Sequence, residues 1–358
     1  MGGPSGEHAV SLKSGNGVAK ALTQRGFVVE PVLIPQTLDL DAARAFTVAA
    51  LKRTAPDVVF IALHGTFGED GTIQQVCKEL KLVHTGSTAA ASRVGMDKVA
   101  SRRRFETAGL AVPRWGLMNL SQPTPSLPAG ISFPLVVKPV SQGSSLGVSI
   151  VQRKSGLSRA LAEAGRYGSQ VLVEQFVQGR ELTVGILGEQ PLPVIEIRPH
   201  LAFFDFTAKY TPGSTDYLVP APLAPEVALV VQATAYAAHR TIGCRHLSRT
   251  DLILTPDGVP VVLEINTIPG FPPTSLLPKA AGCIGISYEE LCERLVMMAA
   301  HRSSARPSAR PAVGPRPLAV GPSVVPHRKG RRDVAPQRRA FDDATGSARG
   351  APRAVVVA

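Results

Sequence analysis

No apolar run in this chain of 358 residues approaches the roughly 20 residues needed to span a bilayer. The N-terminus also lacks the basic and then apolar order of a secretory leader, so a cytoplasmic protein with no membrane association is expected. Cysteine is scarce. Cys77, Cys244, Cys283 and Cys292 show no CxxC spacing and lie in apolar surroundings, which argues against a disulfide frame or a zinc site and for reduced core thiols. P-loop spacing is missing as well, which excludes a Walker-type nucleotide site, and no internal repeat is visible. What the chain does have is 44% hydrophobic residues, enough to fill the cores of two or three globular domains.

The net charge of +12 raises nucleic acid as a partner until its position is considered. From His301 onward there are twelve Lys/Arg against three Asp, leaving about +3 for the rest. That tail is rich in Pro, Arg, Ala, Gly and Ser without helical or strand period, so disorder is expected over 303–358. It lacks the interleaved aromatics that stack on bases, and nucleic-acid binding is not expected.

Along the chain, apolar strands alternate with helices up to about Ala91. The run Val58 to Leu63 has little polar alternation, as in a strand covered on both faces of a parallel sheet, and it ends at His64-Gly65 in a loop. Beyond Ala91 the pattern changes to strands paired through Gly-rich turns, with a basic helix from Asp97 to Ala108 and a strand from Leu135 to Val140. The domains expected are 1–92, 93–178 and 179–302, followed by the tail.

The most informative stretch runs from Arg249 to Gly270. It reads as two apolar strands joined at Pro256-Asp257-Gly258 and carries Asp251, Glu264 and Asn266. Glu264 and Asn266 are two apart on a strand and leave the same face, and a hairpin brings Asp251 alongside them. Oxygen-only ligands of this kind suit Mg²⁺, which is usually held by one or two carboxylates plus substrate phosphates.

Lys138 at a strand end, followed by the Gly/Ser loop Ser141 to Gly147, offers a cation and approachable backbone N–H groups for phosphates. Lys98 adds a second cation. The strand Glu174-Gln-Phe-Val177, with Glu181 beyond, has the composition of a purine pocket in which a carboxylate accepts from the exocyclic amine or the ribose hydroxyls.

Taken together, the stretches GGPSGEHAVSLKSG at 2–15, LHGTFGEDGTIQ at 63–74, KPVSQGSSLGVS at 138–149, AKYTPGSTDY at 208–217, and SRTD with LEINTIPG resemble the ATP-grasp ligases, and within them the D-alanine–D-alanine ligases, over roughly residues 2–300. The resemblance implies an α/β and α+β architecture: an N-terminal parallel α/β (pre-ATP-grasp) domain, a central ATP-binding lid domain and a C-terminal antiparallel-sheet domain. It also implies that ATP phosphorylates the carboxylate of one D-alanine and the amine of a second attacks the acyl phosphate, for peptidoglycan precursor synthesis.

On matching positions the resemblance gives Lys98, Lys138 and Lys209 to the phosphates and Glu174, Phe176, Val177 and Glu181 to adenosine. Asp251, Glu264 and Asn266 would hold two Mg²⁺ ions, with Mn²⁺ as a substitute. Arg249 and the Gly270 N–H face the oxyanion. Glu7 takes the ammonium of the first D-alanine and, with Ser144 and Tyr210, forms the link that closes the lid loop. His64, Ser275 and Leu276 line the second subsite. A homodimer is implied as well.

Two departures stand out. Ligases of this kind begin with a strand leading into the Gly-Gly turn, whereas here the turn follows Met1 directly. The first sheet is therefore expected to lack its central strand and to expose two edges, as if translation began downstream of the natural start. Pro272 also stands near the position of a threonine, which shifts the loop presenting Ser275. Joining D-alanine to D-lactate or D-serine, and a truncated inactive remnant, are the alternative readings.

Overall fold

A computed structural model describes residues 1–122, 126–143, 145–200, 215–302 and 354–358. Ser144, Lys209 and Tyr210, together with the tail from 303 to 353, lie outside the described residues.

The first sheet is all parallel and contains β1 (Val28–Pro31), β2 (Val58–Phe60), β3 (Val83–His84) and β14 (Ala354–Val357), in the order β1-β14-β2-β3. Helix α1 (His8–Gln24) packs on one face of this sheet, and α2 (Leu40–Thr54) and α3 (Thr72–Glu79) lie on the other. All three residues of β2 are buried, which is why the run lacks polar alternation.

Here the expectation of an absent central strand is corrected. Ala354–Val357, placed by sequence reading in a disordered tail, forms β14 and fills the gap between β1 and β2. Val355, Val356 and Val357 are at most 1% exposed. Burying each valine is worth roughly 1.5–3 kcal/mol, and pairing on both sides satisfies the backbone groups of the strand and of its neighbours.

The second sheet, β4-β7-β5-β6, is antiparallel: β4 (Trp115–Asn119), β5 (Leu135–Pro139), β6 (Ser149–Val151) and β7 (Gln170–Gln175). Helix α6 (Leu157–Gly165) buries Ala160 and Ala164 against it. Two helices precede this sheet, α4 (Ala89–Met96) and α5 (Lys98–Thr107), with Asp97 capping α5 through Val99 N–H and Ala100 N–H.

The third sheet runs β11-β10-β8-β12-β13 and is antiparallel throughout, with β9 (Gln190–Pro191) paired to β8. Its strands are β8 (Arg180–Leu187), β10 (Ile195–Pro199), β11 (Thr215–Leu218), β12 (Leu247–Leu254) and β13 (Pro260–Asn266). Helix α7 (Pro225–Ile242) covers one face. Helices α8 (Leu276–Cys283) and α9 (Tyr288–Arg302) follow, and α9 returns to pack beside α1 and the first sheet. The Ser287 hydroxyl accepts from Glu290 N–H, as the capping sequence requires.

Candidate active site

The hairpin β12–β13 builds the acidic part of the site. Its register sets Arg249 opposite Asn266 and Asp251 opposite Glu264, so all four side chains leave one face. The register shifts immediately after Asp251, a bulge that ends the regular pairing at the acidic pair. Arg249 Nε and Nη2 each donate over 2.8 Å to the two Asp251 oxygens. Thr183 donates to Asp251 Oδ1 at 2.6 Å and the Asn266 amide to Oδ2 at 3.2 Å.

Two carboxylates and an amide side by side are an oxygen donor set that fits a hard cation. The Asn266 amide presents its oxygen after a flip, and a cation at Asp251 would replace the Arg249 contacts. Among the described residues no cluster of three or more His, Cys, Asp or Glu side chains is arranged for a metal, so such a cation would complete its shell from phosphates and water.

A cavity of about 500 Å³ opens beside this face, between the second and third sheets. Val136, Ile150, Phe176, Val177, Ile253 and Leu263 supply apolar walls, and Lys98, Lys138, Glu181, Asp251 and Glu264 supply charge. Sequence reading therefore assembled residues separated by more than 160 positions into one cavity. Lys98 Nζ donates to the Gln142 carbonyl at 2.6 Å and lies 3.4 Å from Glu264 Oε2, tying the Gly/Ser loop to the hairpin.

Glu174 sits on the cavity wall as expected, but its partners differ from the expectation. Lys138 Nζ lies 2.7 Å from Oε2, and Arg102 reaches Oε1 through Nε at 2.8 Å and Nη2 at 2.5 Å. The carboxylate thus anchors two cations and is not presented as a free acceptor for a purine or ribose. Burial alone would raise its pKa; Arg102 and Lys138 overcome that and hold it below the ordinary carboxylate value. For Lys138 the balance goes the other way, since burial outweighs the attraction of Glu174 and lowers the ammonium pKa to about 8.

Arg102 is a residue that sequence reading missed. It is 1% exposed and also donates to the Val262 carbonyl at 2.6 Å, so one guanidinium links the second sheet to the third.

At the first sheet, His64 follows β2 and is buried. Its Nε2 is 2.8 Å from the Ser14 hydroxyl, and its Nδ1 faces Glu69 Oε1 at 3.5 Å and the Ile268 carbonyl at 3.3 Å. Ser14 also accepts from Phe271 N–H at 3.3 Å, which joins α1 to the loop carrying Gly270. Burial is the main reason that the Glu69 pKa is raised; the hydrogen bond from His64 opposes it and the charge of Glu7 adds to it.

Glu7 lies between two glycine loops. A Cβ added to Gly65, whose φ is +65°, would come within 2.7 Å of Glu7 Oε2, and one added to Gly143 within 3.4 Å. Glu7 therefore faces Gly143 of the Gly/Ser loop as well as Gly65. Glu69 and Ser14 are further site residues missed from sequence. For Ser14 a signal existed: Glu7, Ser11 and Ser14 repeat at helical spacing and put a polar stripe on a helix face that turns inward.

Ser275 occupies the N-cap of α8 with Leu276 as the first helical residue, and its hydroxyl makes no cap bond. A helix N-terminus whose N-cap hydroxyl is not spent on the cap is suited to a carboxylate. Gly270 is adjacent, since a Cβ there would be 3.7 Å from Ser275 Oγ. Pro272 accepts from Ser275 N–H through its carbonyl at 2.8 Å, so the loop is a closed turn despite the proline.

Residues 104–297 match the family model described as D-ala D-ala ligase C-terminus. The chain is 44% identical over 303 residues to the D-alanine–D-alanine ligase of Syntrophotalea carbinolica, covering 84% of this chain and 95% of that protein. With the Gluconobacter oxydans ligase of the same name it shares 43% over 306 residues, covering 84% and 98%. Among solved structures, the Bacillus anthracis D-alanine–D-alanine ligase complexed with ATP superposes with a TM-score of 0.72 at 30% identity, covering 85% of this chain and 96% of that one. The VanG D-Ala:D-Ser ligase of Enterococcus faecalis gives 0.71 at 28%, covering 84% and 97%.

Proposed function

This chain belongs to the D-alanine–D-alanine ligase family, and we propose on that premise that it joins two D-alanines to D-alanyl-D-alanine with ATP, for peptidoglycan precursor synthesis. One observation carries the reading: Arg249, Asp251, Glu264 and Asn266 share a face at the wall of a cavity that also holds Lys98 and Lys138. Cations and hard-oxygen ligands around an apolar slot are what a nucleotide triphosphate and its metal require.

The adenine enters the apolar part of the cavity beside Phe176 and Val177, with Glu181 at its polar edge. Lys98 and Lys138 take the phosphates. Glu174, itself anchored by Arg102, holds Lys138 in place, so the positive charge is positioned before the nucleotide arrives. Asp251, Glu264 and Asn266 would hold Mg²⁺, or Mn²⁺ in its place, which when bound neutralises phosphate charge.

Glu7 binds the ammonium of the first D-alanine, whose carboxylate takes the γ-phosphoryl group. The amine of the second D-alanine then attacks the acyl phosphate, expelling phosphate. Arg249 and the Gly270 N–H stabilise the oxyanion, and Ser275 at the start of α8 receives the second carboxylate beside Leu276 and His64. No covalent enzyme nucleophile is needed, so the rate comes from positioning and charge neutralisation. Ser144, Lys209 and Tyr210 complete this reading as phosphate and lid residues.

The chain works in the cytoplasm as a homodimer on this reading. No described helix is long and apolar enough to cross a membrane. Chromatographic identification of the product tests the assignment, with D-alanine, D-serine and D-lactate offered as acceptors. D-alanyl-D-alanine as the dominant product supports it, and a dominant mixed product or none overturns it.

A further inference from the structure

The two ends of the chain meet inside the first sheet. In a central strand of a parallel sheet, alternate residues bond to opposite neighbours. On the β2 side, Asp57 N–H donates to the Ala354 carbonyl at 3.0 Å, and Ala358 exchanges bonds with Phe60 and Ala62 at 2.9 and 2.6 Å. On the β1 side, Val32 N–H donates to the Val357 carbonyl at 3.0 Å. The next bonds on that side involve Met1: its amino group donates to the Val32 carbonyl at 2.8 Å, and its carbonyl accepts from Ile34 N–H at 3.0 Å. Gly3 N–H then donates to the Ile34 carbonyl at 2.8 Å.

Met1 thus occupies the place that a residue following Ala358 would take. The ladder passes from Val357 to Met1 to Gly3 without losing register.

Side chains give an independent reading. Met1 joins Val355 and Val357 in the core under α1 and α9, whereas Val356 and Ala358 lie in the opposite core with Ile61, Phe67 and Ile73. The alternation of faces therefore also continues across the break. Met1 is 6% exposed and Ala358 0%, and burial lowers the pKa of the Met1 amino group to about 4.

We infer that residues 354–358 and 1–3 form one strand interrupted by a chain break, and that docking of the C-terminal half positions the first amino-acid subsite. The path from strand to site is short. Gly2 N–H donates to the Ser11 hydroxyl at 2.8 Å, Ser11 donates to the Ala62 carbonyl at 2.7 Å, and Ser5 to the His64 carbonyl at 2.7 Å. Ala62 is itself bonded to Ala358. Loss of the C-terminal strand removes the support from both the turn that carries Glu7 and the loop that carries His64. The nucleotide cavity lies between the other two sheets and does not include these residues.

The subsite part rests on the ligase reading; the strand part does not. Three chains separate them: the full chain, the chain lacking 354–358, and a rearranged chain in which residues 350–358 run by a peptide bond into Met1 and which stops at Arg302. Hydrogen exchange, thermal unfolding, ATP-analogue affinity and D-alanine kinetics are measured on each. Expected are slow exchange at the Val355–Val357 amides of the full and rearranged chains, and ATP-analogue affinity in the truncated chain within about threefold of the full chain. The KM for D-alanine should rise by at least about tenfold on truncation and recover on rearrangement, the scale expected for a displaced positioning element.

A short polar extension after Ala358 has to leave the sheet where Met1 sits, and should lower the unfolding temperature. Fast exchange at Val355–Val357 in the full chain, an unfolded rearranged chain, or an extension without effect overturns the interrupted strand. Unchanged D-alanine kinetics in a folded truncated chain overturns the positioning role alone. Absence of D-alanine turnover in all chains, with the exchange pattern as expected, overturns the ligase reading and with it the positioning role, but leaves the strand standing.

Discussion

Lys138 holds its ammonium 2.7 Å from the Glu174 carboxylate in a site where both side chains are almost wholly buried. Burial lowers the lysine pKa to about 8 despite that partner. The charge that would meet the phosphates is therefore complete only below that pH. We predict that kcat/KM for ATP, which reports the free enzyme, falls as pH rises through about 8, and that Lys138→Met is low at every pH and has lost this step. From about pH 8 to 10.5 the unfolded chain holds more protons at this residue than the folded one, so the contribution of Lys138 to stability increases with pH.

Arg102 should matter to stability more than any other arginine of α5. Its guanidinium is 1% exposed and holds Glu174 and the Val262 carbonyl. Arg102→Met leaves the buried carboxylate with one cation, and breaking a buried pair in this way costs about 3–5 kcal/mol. Urea unfolding measures the loss. Adding Glu174→Gln should recover part of it, since the two effects are coupled through direct contact.

At Glu69, where burial raises the pKa, the folded chain retains a proton to higher pH than the unfolded chain does. This acid therefore contributes most to stability at low pH and progressively less as pH rises through the ordinary carboxylate range to its raised value. Glu69→Gln carries no such titration. Its stability relative to the parent chain should improve as pH rises from acid through the ordinary carboxylate range and beyond it, read from thermal unfolding at each pH.

Ser14 connects His64 to Phe271 with one hydroxyl. Ser14→Ala leaves both partners buried without it, a cost of about 1–3 kcal/mol. Because Phe271 follows Gly270, the KM for the second D-alanine should rise more than that for ATP. Equal changes in both would remove the proposed link.

The hairpin was legible because its information is local. Glu264 and Asn266 are two apart, a Pro-Asp-Gly turn returns the chain, and period-two geometry then puts Asp251 on the same face. Arg102 was not legible. It stands in a run of three arginines, and only the packing of α5 between the second and third sheets decides which of them turns inward. Glu174 looked like a nucleotide acceptor for the same reason, since its partners come from another helix and strand. The C-terminal valines were the largest miss. Their pairing partners are some 300 positions away, as with Val28 and Ala354, and a short apolar run after a Pro/Arg-rich stretch gives no local sign of such a pairing.

The central claim is that the face shared by Arg249, Asp251, Glu264 and Asn266 handles ATP phosphates while D-alanine is activated beside it. ADP release from the full chain and from Glu264→Gln, with and without D-alanine and with Mg²⁺ present, tests it most directly. The account predicts release that requires D-alanine and falls by about 10²–10³-fold in the variant, the loss seen when charge stabilisation is removed from a transition state. D-alanine-independent release, or a variant as fast as the parent chain, would contradict it.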